Sequence, residues 1–238
     1  MKNIEILKVN NLTKVMWWNT ILDNVNLNIS KGSVYWFIWA NWAWKTTTLK
    51  TICWLLKPTS WNIEMFWKPW ELNHLSKIGA LIEKPVLYEH LSWIDNLKIH
   101  ALLTNTPKSR IEEVINIVGL DSKAAKKQTK KYSLWMKQRL AIAIAILHNP
   151  EFIILDEPTN WLDIEWIRSI RELIISMWKM WYTIIVSSHQ LSEIEKACTH
   201  IWVIAKWKMK FEWTIKEFMK LWWDIEEIYL SLSNNTIN

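Results

Sequence analysis

The chain alternates short apolar runs with stretches of helical spacing, and the order of these periods predicts an α/β protein. Ile4 to Val9 and Ile21 to Ile29 carry the two-residue alternation of half-buried strands, with Lys31-Gly32 as the turn that follows. They predict an antiparallel β subdomain at the start. Ser33 to Ile38 is an apolar run of strand length, and after a loop Thr46 to Leu56 has helical spacing. Ile94 to Gly119 reads as helical, with Ser109-Arg-Ile-Glu112 as a candidate capping box, and Ser133 to Leu147 as a further helix; together they predict a helical insertion over about 88–145. Asn149-Pro150 then leads into a buried strand, Phe152 to Leu155. Helix Ile164 to Met177, strand Thr183 to Ser187 and helix Leu191 to Ala197 repeat the alternation expected of a parallel sheet. Ile201 to Leu232 reads as two short strands and a helix, a C-terminal extension over about 201–238. A chain of 238 residues can bury a sizeable core, and 1–238 is expected to form a single domain.

Composition narrows the class. No stretch approaches the ~20 apolar residues of a membrane-spanning helix, and MKNIEILKVN lacks a signal-peptide core, so a cytoplasmic protein is expected. Cys53 and Cys198 lie far apart without metal-ligand spacing and read as reduced thiols. The net charge of +6 includes one Lys-rich run, Lys123 to Lys131, read as a solvated face; no nucleic-acid partner is expected.

The 21 Trp against 3 Gly change the picture most. Tryptophans stand among turn formers, as in Pro58-Thr-Ser-Trp61-Asn, Phe66-Trp67-Lys-Pro69 and Thr159-Asn-Trp161-Leu-Asp, where a chain usually needs positive φ. Glycine reaches that region because it lacks Cβ; tryptophan does so only at a cost. The pattern is that of a chain in which Trp is written where Gly belongs, as arises when UGA codons decoded as glycine in the source are translated as tryptophan. The 21 positions plus the 3 glycines would give 24 Gly in 238 residues, ordinary for a loop-rich fold.

With glycine at 39, 42 and 44, Trp39-Ala-Asn41-Trp42-Ala43-Trp44-Lys45-Thr46-Thr47 satisfies the G-x-x-x-x-G-K-T pattern, lying after a strand and before a helix. Such a loop turns backbone N–H groups toward phosphate oxygens. Lys45 would reach the β/γ-phosphates and Thr46 would bind Mg²⁺. With three literal indoles the phosphates would have no room, leaving an inactive cassette. A second element is the strand ending Leu155-Asp156-Glu157, where Asp156 can hold Mg²⁺ and Glu157 can polarise the attacking water. His189 in Val186-Ser-Ser-His follows another buried strand and is a candidate γ-phosphate contact.

These elements, with Tyr132-Ser133-Leu-Trp135-Met-Lys-Gln138-Arg139 and Asp156-Glu157-Pro-Thr-Asn-Trp161-Leu-Asp163, follow one another as in ABC ATPases, and the resemblance covers nearly the whole chain. Residues 132–139 resemble the ABC signature in its S-x-G-x-x-Q-R form. The resemblance implies a P-loop ATPase core with parallel sheet, antiparallel β subdomain and helical signature insertion. It further implies an ATPase with ATP and Mg²⁺ bound, working as a dimer with a second cassette, likewise on membrane-spanning permease subunits at the inner face of the membrane. Ser133 and the backbone at Trp135 would then serve the partner's nucleotide, Asp163 would link the two sites, and Glu157 and His189 would be catalytic.

Two departures from the general pattern matter. The position of the usual Mg²⁺-sensing Gln is Glu83, within Ala80-Leu-Ile-Glu83-Lys-Pro-Val-Leu-Tyr88. This resembles the subfamily that exports, or confers immunity to, bacteriocins, lantibiotics and bacitracin-type peptides, and makes Glu83 a candidate metal contact. The aromatic that stacks on adenine would fall near Met16, so the base would rest on a thioether or on residue 17 or 18. A soluble ABC ATPase acting on ribosomes or DNA is the rival. The single P-loop, and the 88 positions from Lys45 to Ser133 without sustained heptads, favour the transporter.

Overall fold

The computed structural model describes residues 4–39, 42–83, 86–120, 126–188, 195–205 and 208–221. Two sheets and a set of helices build it. The first sheet is antiparallel, in the order β2-β1-β4-β5, from β1 (Glu5–Met16), β2 (Asn19–Ser30), β4 (Ser60–Met65) and β5 (Lys68–Pro69). The second has the order β10-β9-β3-β8-β7-β6, from β3 (Val34–Trp39), β6 (Ile78–Leu81), β7 (Phe152–Asp156), β8 (Thr183–Ser187), β9 (His200–Ala205) and β10 (Lys208–Thr214). All its pairings are parallel except β9 with β10.

The central strands are buried on both faces, which explains why their sequences are apolar without alternation. Val34, Trp36 and Ile38 face one core, filled from α2 (Trp93–Leu103), α3 (Ser109–Val118), α4 (Leu134–Ile146) and α5 (Ile164–Lys179). Tyr35 and Phe37 face the other, shared with the first sheet and with α1 (Trp42–Ile52). A short helix, α6 (Ile215–Leu221), follows β10. Because β9 lies beside β3 inside the main sheet, the segment read as a C-terminal extension begins within the core. Residues 222–238 and most of the helix expected at Leu191–Ala197 lie outside the described residues.

Two local expectations are corrected. The helical stretch from Ile94 to Gly119 is two helices, broken at Thr104–Lys108 where Pro107 cannot continue a helical ladder. The capping box at Ser109 does not form: Ser109 is the first helical residue of α3, and its N-cap, Lys108, has no capping side chain. Ser92 caps α2 instead, its hydroxyl accepting the Asp95 N–H at 3.2 Å.

Among the described residues, six tryptophans have left-handed backbone: Trp17 (φ 49°), Trp18 (68°), Trp54 (60°), Trp67 (65°), Trp161 (64°) and Trp181 (67°). Trp17 and Trp18 form the two-residue turn of the β1–β2 hairpin, a geometry that requires positive φ at both positions and favours Asn and Gly. Trp61 departs from the expectation: it lies in β4 with ordinary strand backbone. Among the described residues, two buried indole N–H groups, at Trp70 and Trp93, have no hydrogen-bond acceptor. Left-handed backbone costs an L-residue with a Cβ about 1–2 kcal/mol. Six such residues forfeit about 6–12 kcal/mol, comparable with the net stability of an ordinary domain at about 5–15 kcal/mol.

Candidate functional site

The site gathers at the carboxyl ends of the parallel strands, where open α/β sheets place their ligands. β3 ends at Trp39 and α1 begins at Trp42, so the strand and the helix that flank a phosphate loop are in place; Asn41, with Ala40, lies outside the described residues. Trp39, Trp42, Ala43 and Trp44 occupy the end of that strand and the first turn of that helix.

The first described side chains of α1 point at the end of β7. Lys45, buried, pairs with Glu157. Thr46 donates its hydroxyl to Asp156 Oδ2 at 2.7 Å, and Thr47 follows on the next position of the helix. Asp156 is 3% exposed, and its other oxygen accepts the Ser187 hydroxyl at 2.6 Å. Parallel pairing of β7 with β8 sets Asp156 opposite Ser187, which fixes this contact. Ser187 Oγ also accepts the Glu157 N–H at 3.0 Å, and Glu157 adopts a left-handed backbone, φ 50°, that turns its carboxylate back over α1 toward Lys45. Ser187 was not singled out from the sequence. Its only local signal is a hydroxyl at the end of an apolar strand.

Lys45, Thr46, Asp156, Glu157 and Glu83 line one open cavity of about 740 Å³, within the range of small-molecule sites at about 300–1,000 Å³. Gln138 and Lys137 of α4 also line it. Glu83 faces the cavity, but its carboxylate is held by Lys50 at 2.5 Å. The donor set fits magnesium. One buried carboxylate and one hydroxyl, both hard oxygen donors, converge beside a cationic loop, and Mg²⁺ characteristically takes few protein ligands beside phosphate oxygens. Among the described residues no cluster of three or more His, Cys, Asp or Glu could hold a metal alone.

Trp161 also lines this cavity, while Ser133, Trp135 and Asp163 are not among the described residues that line it. Ser133 is exposed at the start of α4, without a capping bond to its side chain. Trp135 stacks on Trp166 of α5 with centroids 4.2 Å apart, and the Arg139 guanidinium lies 5.3 Å over the Trp135 ring. Arg139 donates to the carbonyls of Val118 and Gly119 at the end of α3, so this residue of the 132–139 segment secures the helical insertion. Asp163 is the N-cap of α5, accepting the Trp166 N–H at 3.1 Å. His189 lies outside the described residues. Met16 packs partly against the core of the first sheet, while Trp17 and Trp18 are 87% and 99% exposed at the hairpin tip. The described part of the Lys-rich run, Lys126 to Lys131, exposes all four of its lysines. No helix among the described residues is long and apolar enough to cross a membrane.

A lysine and threonine opening a helix after a sheet strand, facing an Asp-Glu pair two strands away, define a P-loop nucleoside triphosphatase. Known proteins place it further. Residues 22–160 match the family described as "ABC transporter". The "Lantibiotic transport ATP-binding protein SrtF" of Streptococcus pyogenes is 42% identical over 207 residues, covering 87% of this chain and 90% of that protein. The "Bacitracin transport ATP-binding protein BcrA" of Bacillus licheniformis is 43% identical over 209 residues, covering 86% and 68%. Among solved structures, MJ1267, "an ATP-binding cassette of an ABC transporter" in its ADP conformation, superposes with a TM-score of 0.84 at 20% identity, over 95% of this chain and 99% of that one. This chain belongs to the ABC transporter family, as one of its ATP-binding cassettes.

Proposed function

We propose that this chain binds and hydrolyses ATP as one of two cassettes driving a membrane-spanning permease, in the export of, or immunity to, a peptide antibiotic of the lantibiotic or bacitracin type. The observation that carries the reading is the meeting of Lys45 and Thr46 on α1 with Glu157 and Asp156 at the end of β7. The relatives that act in lantibiotic and bacitracin transport support the class of cargo. The cassette works from the cytoplasmic face, peripheral to the membrane.

Each residue has a task that follows from its place. Phosphate oxygens entering over the amino end of α1 compete with Glu157 for Lys45, because the lysine cannot neutralise both at full strength. Nucleotide binding thereby frees the Glu157 carboxylate to accept a proton from the attacking water as general base. Thr46 and Asp156 would hold Mg²⁺, which supplies neutralisation of phosphate charge when bound, and Ser187 keeps Asp156 aimed. His189 is assigned to the γ-phosphate. Ser133 and the backbone at Trp135 serve the nucleotide of the other cassette and Asp163 joins the two sites, in keeping with their position outside this chain's own cavity. Glu157→Gln is expected to bind ATP, remain as an ATP-bound dimer on size exclusion and hydrolyse about 10²–10⁴-fold more slowly; hydrolysis near the unaltered rate would refute this base.

The same function requires glycine in the phosphate loop, and we infer that tryptophan stands for glycine throughout this sequence. Among the described residues, the six left-handed tryptophans and the two orphaned indole N–H groups support this, each being a burden that glycine removes. Intact mass of the native protein tests it: glycine lacks a side chain, and 21 exchanges lower the mass by roughly 2.7 kDa from 28.6 kDa. Peptide sequencing across residues 36–48 reads the loop directly. A mass of 28.6 kDa would leave a cassette without a phosphate cradle.

A further inference from the structure

We propose that Lys50 is a positioning residue that holds Glu83 off the metal site until a divalent cation competes for it, and so sets the affinity of the site for that cation. The inference deepens the ATPase reading above and rests on it. Glu83 leaves β6 in a left-handed conformation, φ 64°, although it is neither glycine nor one of the short polar residues that stabilise this region by local hydrogen bonds. The Lys50 ammonium lies 2.5 Å from Glu83 Oε1.

Lys50 reaches Glu83 from the helix that carries the phosphate-loop residues. It lies four positions after Thr46, on the same face of α1, so one helical turn separates the hydroxyl that meets Asp156 from the cation that meets Glu83. The cavity has a repeated pattern: Glu157 is paired with Lys45, Glu83 with Lys50 and Glu89 with Lys137, while Asp156 takes the hydroxyls of Thr46 and Ser187. Three carboxylates on the wall of one cavity are thus each neutralised by an ammonium. A cation entering beside Asp156 must compete with Lys50 for the Glu83 oxygens. Glu83 is 59% exposed and Lys50 29%, and pairs this wet contribute little to folding and break readily. The pair therefore acts as a threshold for the cation more than as a structural tie.

The test uses the glycine form of the protein, loaded with a non-hydrolysable ATP analogue, and Mn²⁺ as the probe, its affinity read by electron paramagnetic resonance. Lys50→Met is expected to tighten Mn²⁺ binding by about fivefold, the equivalent of a half-exposed ion pair. In the Glu83→Gln background the same substitution is expected to change nothing, and Lys50→Arg is expected to restore the unaltered affinity. An equal tightening in both backgrounds would mean that the Lys50 charge acts on the metal through space and would overturn the proposal. Unchanged or weaker Mn²⁺ binding in Lys50→Met would overturn it as well. Failure of the unaltered protein to bind the analogue with Mn²⁺ would instead remove the ATPase reading and, with it, this inference.

Discussion

Thr46 and Asp156 meet at 2.7 Å although 110 positions of chain separate them. The hydroxyl comes from the first turns of α1 and the carboxylate from the last residue of β7, and neither neighbourhood in sequence encodes the other. Strand order brings them together: β8 lies between β3 and β7, and α1, which follows β3, meets the end of β7 across it.

Ser187 is the support that this geometry adds. Its hydroxyl spans Asp156 Oδ1 at 2.6 Å and the Glu157 N–H at 3.0 Å. Ser187→Ala is expected to lower apparent Mg²⁺ affinity or turnover about 10–100-fold, the usual range for removing a partner that aims a metal ligand. The Mg²⁺ dependence of ATP hydrolysis measures it, and an unchanged dependence would leave Ser187 a structural residue only.

Backbone strain gives a second expectation. Trp161 and Trp181 are 84% and 78% exposed at φ 64° and 67°, so their side chains contribute little burial to offset the conformation. In the tryptophan form of the protein, each single change to glycine is expected to raise stability by about 1–2 kcal/mol. Urea denaturation with an unchanged slope would register it; destabilisation would show that the indoles carry the turns.

Gly79 gives the opposite case, a glycine required by space. A Cβ built there would lie 2.1 Å from the Ala145 carbonyl oxygen, where β6 packs against α4. Gly79→Ala is expected to destabilise by about 1–3 kcal/mol, as overpacking does. The denaturation midpoint reads it, and a neutral result would mean that α4 shifts freely.

Stability should fall on mild acidification. Burial pushes the imidazoles of His100, His148 and His200 below the ordinary value of 6.5, with the Ile78 carbonyl opposing at His148 and Glu217 opposing at His200. The unfolded chain binds protons first as pH drops. The stability these neutral rings contribute is therefore complete above about pH 6.5 and is lost as pH falls through their lower folded values. Thermal melts from pH 7.5 to pH 5 should show a declining midpoint, and His148→Gln should flatten part of the decline. A midpoint rising over this range would contradict the assignment.

Much of this was legible in the residue order. The apolar runs at 34–38, 152–155 and 183–187 became β3, β7 and β8, because strands buried on both faces need continuous apolar sequence. Lys45, Thr46, Asp156 and Glu157 were readable from motif and spacing, and all four line one cavity. β6 escaped, since four residues are too few to establish a period, and β4 escaped because its first half is exposed and polar.

By itself, the sequence determined the alternation of strands and helices, the family, and the chemical identity of the phosphate-site groups, all of which are written in local period and motif. It also disclosed tryptophan at positions built for glycine, because backbone sterics act within a single residue. Tertiary structure alone decided the pairings: Lys45 with Glu157, Ser187 with Asp156, and Lys50 with Glu83. Each depends on which strands lie side by side and in what register. Those choices follow from burying two faces of a sheet at once, and contacts of such long separation leave no periodic trace in the residues that make them.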